Sequence, residues 1–221
     1  MSFLKLKGKF DWKYILGEIA LIFIGINLAI WFNNYNAAQK TNQAKTLAIQ
    51  KIAEEIEQNT QGLDSARINN KGIVEAFYAV SDLRHPSDPD MLFTTPVMLR
   101  QFQKDHPDFF HVNDSIIINK DSVEYIGGFS VNFEITQLSD IAWQTARSID
   151  ILHELNYDCL LNLGSLYDLQ NRVVKVTDQT VDKLQGDDWE GMLKMLEFLD
   201  QLEMYLLENY KQIKENLKEC K

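Results

Sequence analysis

The 221-residue chain reads as mainly α: an N-terminal transmembrane helix followed by a helical bundle with a small antiparallel β-hairpin or meander inserted in it. Three observations carry this expectation. From Tyr14 to Phe32 run 19 residues whose strongly polar members are Glu18 and Asn27, and at about 1.5 Å per residue they match the thickness of a hydrocarbon core. Beyond them, apolar residues recur at three- and four-residue steps, the period of a helix with one buried face. One stretch breaks that rule: Phe129, Val131, Phe133 and Ile135 alternate with Ser130, Asn132, Glu134 and Thr136, the period of a half-buried strand.

The apolar run is too long for the core of a cleaved signal peptide and ends in "WFNNYNAAQ", which offers poor small-residue cleavage positions, so a retained anchor over residues 14–34 is expected. Lys5, Lys7, Lys9 and Lys13 precede it, and the first basic residue after it is Lys40. That asymmetry places residues 1–13 in the cytoplasm as a short tail and residues 35–221 on the far side. Trp12 and Tyr14 at one end, and Trp31 and Tyr35 at the other, suit the two headgroup zones as interfacial anchors in contact with lipid. The far-side residues carry most of the acid, taking the whole chain to a net charge of −10, which argues against nucleic acid or an anionic lipid surface as the partner of that domain.

After the span the pattern continues without a breaker to about residue 60, with Ile49, Ile52, Ile56 and Leu63 on one face. A second helix is expected from about Asp64 to Leu83, with Ile68, Val74, Phe77, Tyr78 and Val80 as core candidates. Prolines at 86, 89 and 96 then stop it. Ile116 to Ile118 and Val123 to Tyr125 flank the turn-like "NKD", and Gly127-Gly128 supplies a second turn, so the β element is expected over about 115–136. Ser139 looks like the N-cap of a helix burying Trp143, Ala146 and Ile149. A Leu-rich helix follows around Tyr157 to Val176. The last helix opens on a capping-box pattern at Asp187 and Glu190, and its heptad-like stripe of Leu199, Leu202, Leu206, Ile213 and Leu217 fits an intramolecular seam or an oligomer contact, the former favoured.

Within the span, Glu18 lies one turn below Tyr14, close enough to the cytoplasmic headgroups to reach Lys13. Glu18, Ile22, Gly25, Ala29 and Phe32 share one helix face, and Gly25 with Ala29 forms a small-xxx-small pair that lets another helix approach. Asn27 lies on the opposite face, which suits a span contacting more than one helix. Cys159 and Cys220 either pair, if the domain lies outside the cytoplasm, or stand as two separate thiols. The four histidines, His85, His106, His111 and His153, have no metal-ligand spacing. No nucleophile elbow, phosphate loop or dinucleotide fingerprint occurs, so neither a cofactor nor a catalytic residue is assigned.

Two segments carry a family resemblance. "YILGEIALIFIGINLAIWFNNYN" has a Gly-Glu-Ile entry, an Ile-Gly-Ile centre and an Asn-Asn-aromatic-Asn exit, and "SDIAWQTARSIDILHELNYDCLLNLGSLYDLQNRV" has an Ala-Trp-x-Thr-Ala core and Tyr167-x-x-Gln170. Together they resemble an uncharacterised family of single-span inner-membrane proteins of Bacteroidota. The chain departs from it at Trp31 and Phe32, and residues 85–136 have no counterpart. The resemblance implies an inner-membrane anchor and a periplasmic, largely helical domain, and supplies no activity. The expectation is therefore a membrane-anchored interaction protein that assembles through its span and helical domain, with a protein partner or a second copy. The alternative is an ion-coupled energy-transducing subunit using Glu18.

Overall fold

The computed structural model describes residues 12–85, 88–185 and 189–220. The basic tail, Pro86 and Asp187 lie outside them. A mainly helical chain with a β insertion is what they form.

One helix, α1 (Trp12–Ser81), runs without interruption through the apolar segment and the first element of the domain. The expected break near residue 60 does not occur. Gly62 sits mid-helix at a close crossing: a Cβ there would come within 3.1 Å of the Thr136 side chain, whose hydroxyl donates to the Gly62 carbonyl at 3.2 Å. Glycine in a helix costs about 1 kcal/mol against alanine, and the crossing chain needs the space.

Because the helix never restarts, its buried face keeps a strict alternation of three- and four-residue steps. Ile49, Ile52, Ile56, Asn59, Leu63, Ala66, Asn70, Ile73, Phe77 and Val80 are all buried along it. Ile68 and Tyr78, expected in the core, fall on the opposite side and are exposed.

Next come β1 (Arg84–His85), β2 (Asp88–Thr94), α2 (Pro96–Asp105), β3 (Phe110–Ile117) and β4 (Val123–Phe129). The strands form an antiparallel sheet in the order β1-β2-β4-β3. Two prolines act as positional signals here. Pro89 is the second residue of β2, and Pro96 opens α2, where a missing N–H costs nothing and the Thr95 hydroxyl accepts from Met98 N–H at 3.1 Å. The β3–β4 hairpin over "NKD" matches expectation. Gly127-Gly128, however, lies inside β4 and not in a turn: β3 bulges between Val112 and Asp114, and a Cβ on Gly127 would strike the His111 carbonyl at 2.2 Å and the Phe110 ring at 2.6 Å. Leu92, Val123 and Tyr125 from the sheet pack with Phe102, Phe109 and Phe110 against Ile73, Phe77 and Val80, clothing the far end of α1.

The alternating stretch after Phe129 is extended but joins no ladder. It is a strap that crosses α1 and leads into α3 (Ile141–Ser148), a 3₁₀ turn (Ile151–Glu154), α4 (Tyr157–Gln185) and α5 (Trp189–Asn216). The helices α4 and α5 are antiparallel neighbours, and α5 also packs along α1. Leu199, Leu206, Ile213 and Leu217 are buried in that packing, so the heptad stripe is an intramolecular seam. In α3, Trp143 and Ala146 are buried as expected, whereas Ile149 is exposed. Cys159, at the start of α4, is disulfide-bonded to Cys220, with Cα atoms 5.5 Å apart.

Candidate functional site: a bare span joined to a polar latch

The sequence-predicted site residues divide into two places. Glu18, Ile22, Gly25, Asn27, Ala29 and Phe32, with Trp12, Tyr14, Trp31 and Tyr35, all lie on the first part of α1, and none is buried. That part contains the one stretch among the described residues that is long and apolar enough to cross a membrane, and no other described residue covers it. A Cβ on Gly25 would meet nothing within 4 Å, so the groove beside it is open to whatever packs there from outside.

Two local contacts sharpen the reading of this segment. Asn27 Nδ2 donates to the Phe23 carbonyl at 2.7 Å, which satisfies part of its amide within its own helix and reduces the need for a second contacting helix on that side. Trp31 and Tyr35, one turn apart, stack with ring centroids 5.9 Å apart at the end of the apolar segment.

The second place was not legible as a site. Glu55, buried on α1, receives Tyr167 O–H on Oε1 at 2.7 Å, Ser139 O–H on Oε2 at 2.7 Å and Ala142 N–H on Oε2 at 2.8 Å. These contacts put the carboxylate at the N-terminus of α3, where unsatisfied N–H groups and the helix dipole favour negative charge. The helix is therefore capped by a residue 87 positions away. Ser139, expected as the N-cap, precedes the capping position Asp140; its hydroxyl donates to the Glu55 carboxylate and accepts from the Ile141 N–H at 3.3 Å.

Two asparagines on the same helix hold the strap. Ser139 N–H donates to Asn59 Oδ1 at 2.9 Å, and Asn59 Nδ2 returns a bond to the Ser139 carbonyl at 2.7 Å. Glu134 and Asn70 make the same reciprocal pair at 2.9 Å in both directions. Each side-chain amide thus does what a neighbouring strand would do for the extended backbone. The geometry follows from the two rises: eleven helical residues and five extended residues each span about 16–17 Å. Deeper in, Gln170 Oε1 accepts from Tyr210 O–H at 2.6 Å and from Asn59 Nδ2 at 3.2 Å, while Gln170 Nε2 donates to the Ser139 carbonyl at 3.0 Å. Burial, and for Tyr167 the adjacent Glu55, pushes both phenol groups up, so they remain neutral donors.

The residues of the Ala-Trp-x-Thr-Ala and Tyr-x-x-Gln segment therefore converge on Glu55 and Asn59, with Trp143 stacked on Tyr167 at 5.1 Å between centroids. A sequence signal for part of this existed: Asn59 and Asn70 occupy the apolar three-four stripe of α1, where an unpaired amide would be costly. Beside the latch, α1 and α3 form an open apolar groove of about 450 Å³ lined by Leu47, Ala48, Ile141, Thr145 and Ile149, with Lys51 and Glu54 among its charged residues. Farther along, Glu203 is buried on α5 near Asp200 and Arg67. Burial, aided by Asp200 and opposed by Arg67, pushes its carboxyl up to about 7.

Comparison of the chain with protein-family models, with curated proteins and with solved structures returns no match.

Proposed function

We propose that this chain is a single-pass protein of a bacterial inner membrane, with residues 1–13 cytoplasmic and residues 35–221 periplasmic, that acts by binding: its span assembles through the Gly25 and Ala29 face, and its helical domain receives protein partners. The observation that carries the reading is the bare apolar length of α1, continuous with a domain that packs only the helix's later turns. In water that surface would aggregate, whereas a bilayer satisfies it at no further cost. The disulfide supports a domain outside the reducing cytoplasm. The lysine-rich N-terminus supports the orientation, and the groove between α1 and α3 is a surface of the kind partners use. The resemblance to the Bacteroidota family accords with the same layout.

Reporter thiols test this directly. Under the proposal a membrane-impermeant maleimide labels Lys40→Cys in cells with a permeabilised outer membrane, and labels Ser2→Cys only after the inner membrane is broken. The reverse pattern, or release of the chain by alkaline carbonate, contradicts it.

A further inference from the structure

Between α1 and α5 lies an open pocket of about 370 Å³. Glu203 on α5 forms part of its wall and is only 4% exposed, yet its carboxyl takes no hydrogen bond among the described residues. It breaks the apolar stripe of α5 between Leu199 and Leu206, where a leucine would pack without electrostatic cost. The guanidinium whose charge reaches it belongs to Arg67, and Arg67 Nε stands 2.8 Å from Asp200 Oδ1, so that cation is already matched. A buried carboxylate without a partner is costly, and in the wall of an open pocket it is available to a ligand.

The rest of the lining selects what that ligand carries. Besides Arg67 and Asp200, the pocket holds Lys71 and Glu75, one turn apart on α1 and of opposite charge. Two carboxylates are left over: Glu203 inside, and Glu197 at the half-buried mouth, where the neutral Tyr78 hydroxyl donates to it. They stand six residues apart on α5, about 9 Å along its axis. Val74, Leu196 and Leu199 supply apolar wall in the same pocket. Among the described residues no three His, Cys, Asp or Glu side chains are grouped so as to hold a metal ion. The lining therefore suits two positive charges separated by hydrocarbon, and not one compact dication.

We propose that this pocket binds a soluble aliphatic diammonium ion, with one ammonium on Glu203, the stem along Val74, Leu196 and Leu199, and the other ammonium on Glu197. The inference adds a small-molecule site to the partner-binding reading, and it holds whether or not the span crosses a membrane. An aminolipid offers the same ammonium chemistry, but Arg67 lies about 48 Å beyond Tyr35 on the unbroken α1, so in the membrane-anchored reading its headgroup stays out of reach. Burial lifts the Glu203 carboxyl to about 7; an incoming ammonium offsets that desolvation, and at pH 8 the carboxylate is ionised to receive it.

Isothermal titration of the full chain in an uncharged detergent at pH 8 tests this, with 1,5-diaminopentane as the probe. One saturable site per chain is expected. Glu203→Gln keeps the side chain's size and removes its charge, and is expected to weaken binding about tenfold or more, the loss of one charge-assisted bond. An unliganded melting temperature no lower than the parent's shows that this variant folds. Glu197→Gln, at the mouth, is expected to weaken binding about threefold, as for a solvated ion pair, and reads the site without touching the core. 1,5-Pentanediol, magnesium chloride and phosphoethanolamine, each at the probe's concentration, are expected neither to bind nor to displace it. Absence of a saturable site, or a site as strong in both variants as in the parent, overturns the proposal. Equal binding of the diol overturns charge recognition, and displacement by magnesium overturns the organic cation. Equal binding of phosphoethanolamine assigns the pocket to a lipid headgroup and overturns the diamine. None of these outcomes alters the maleimide pattern that decides the membrane reading.

Discussion

The two parts of α1 belong to one helix and obey different rules. From Trp12 to Ala48 no residue is buried, and the apolar side chains surround the helix within the span. From Ile49 to Val80 most of them keep to one stripe, with Ile68 and Tyr78 off it, and the stripe is covered. The first part shows no periodicity, the pattern expected of a helix with apolar surroundings on all sides; the second divides water from a protein core. The polar residues reverse as well. In the bare part Asn27 bonds to its own helix, whereas in the clothed part Glu55, Asn59 and Asn70 reach to other elements and lock the fold.

The largest way to break this contrast is Glu55→Ala. It strands the Tyr167 and Ser139 hydroxyls and the N-terminus of α3, and a loss of about 3–5 kcal/mol is expected in denaturant unfolding of the detergent-solubilised chain. A loss under about 1 kcal/mol would show that the carboxylate is incidental. Removing the Cys159–Cys220 bond with paired serines comes next: the 61-residue separation sets an expected loss of about 2–4 kcal/mol with the apolar span unaffected.

Asn70→Ala is expected to lose about 1–2 kcal/mol and to speed hydrogen exchange of the Glu134 amide, while the exchange of β4 stays unchanged. Faster exchange across β4 would mean that the strap is part of the sheet after all.

Glu203→Gln sharpens the comparison through pH. Its folded-state pKa of about 7 stands above the ordinary 4.5, so the native carboxyl keeps a proton that the unfolded chain has lost. The stabilisation is full below about pH 4.5 and disappears as pH rises through 7. Glu203→Gln is expected to gain about 1–3 kcal/mol over the parent at pH 8 and to match it at pH 4.5. An equal effect at both pH values would place the carboxyl in water.

Sequence pattern reached the two parts of α1 unequally. The long apolar N-terminal helix and the stripe through Ile49, Ile52, Ile56 and Leu63 were legible, because each is local and rests on composition or a short period. The β3–β4 hairpin was legible for the same reason. Glu55 was not, since its donors lie 84 to 112 positions away and an acid beside a stripe looks like an ordinary solvated residue. The strap was misread as a strand because its alternation is real only as far as Phe133: Phe129, Val131 and Phe133 are half-buried between exposed neighbours, whereas Ile135 is exposed and Thr136 turns to α1 in its place. Gly127 was misread as part of a turn because close approach and turn formation call for the same residue.

The central claim is that the bare part of α1 is uncovered in this chain because lipid and another helix cover it. Cysteines placed singly from Gly17 to Phe32 and crosslinked in native membranes test it most directly. The account predicts dimer maxima at positions 18, 22, 25 and 29, minima near 20 and 27, and loss of the pattern in Gly25→Ile. Glu18→Gln should weaken it only slightly. Uniform crosslinking along the helix, or a chain that leaves the membrane in carbonate, would contradict it.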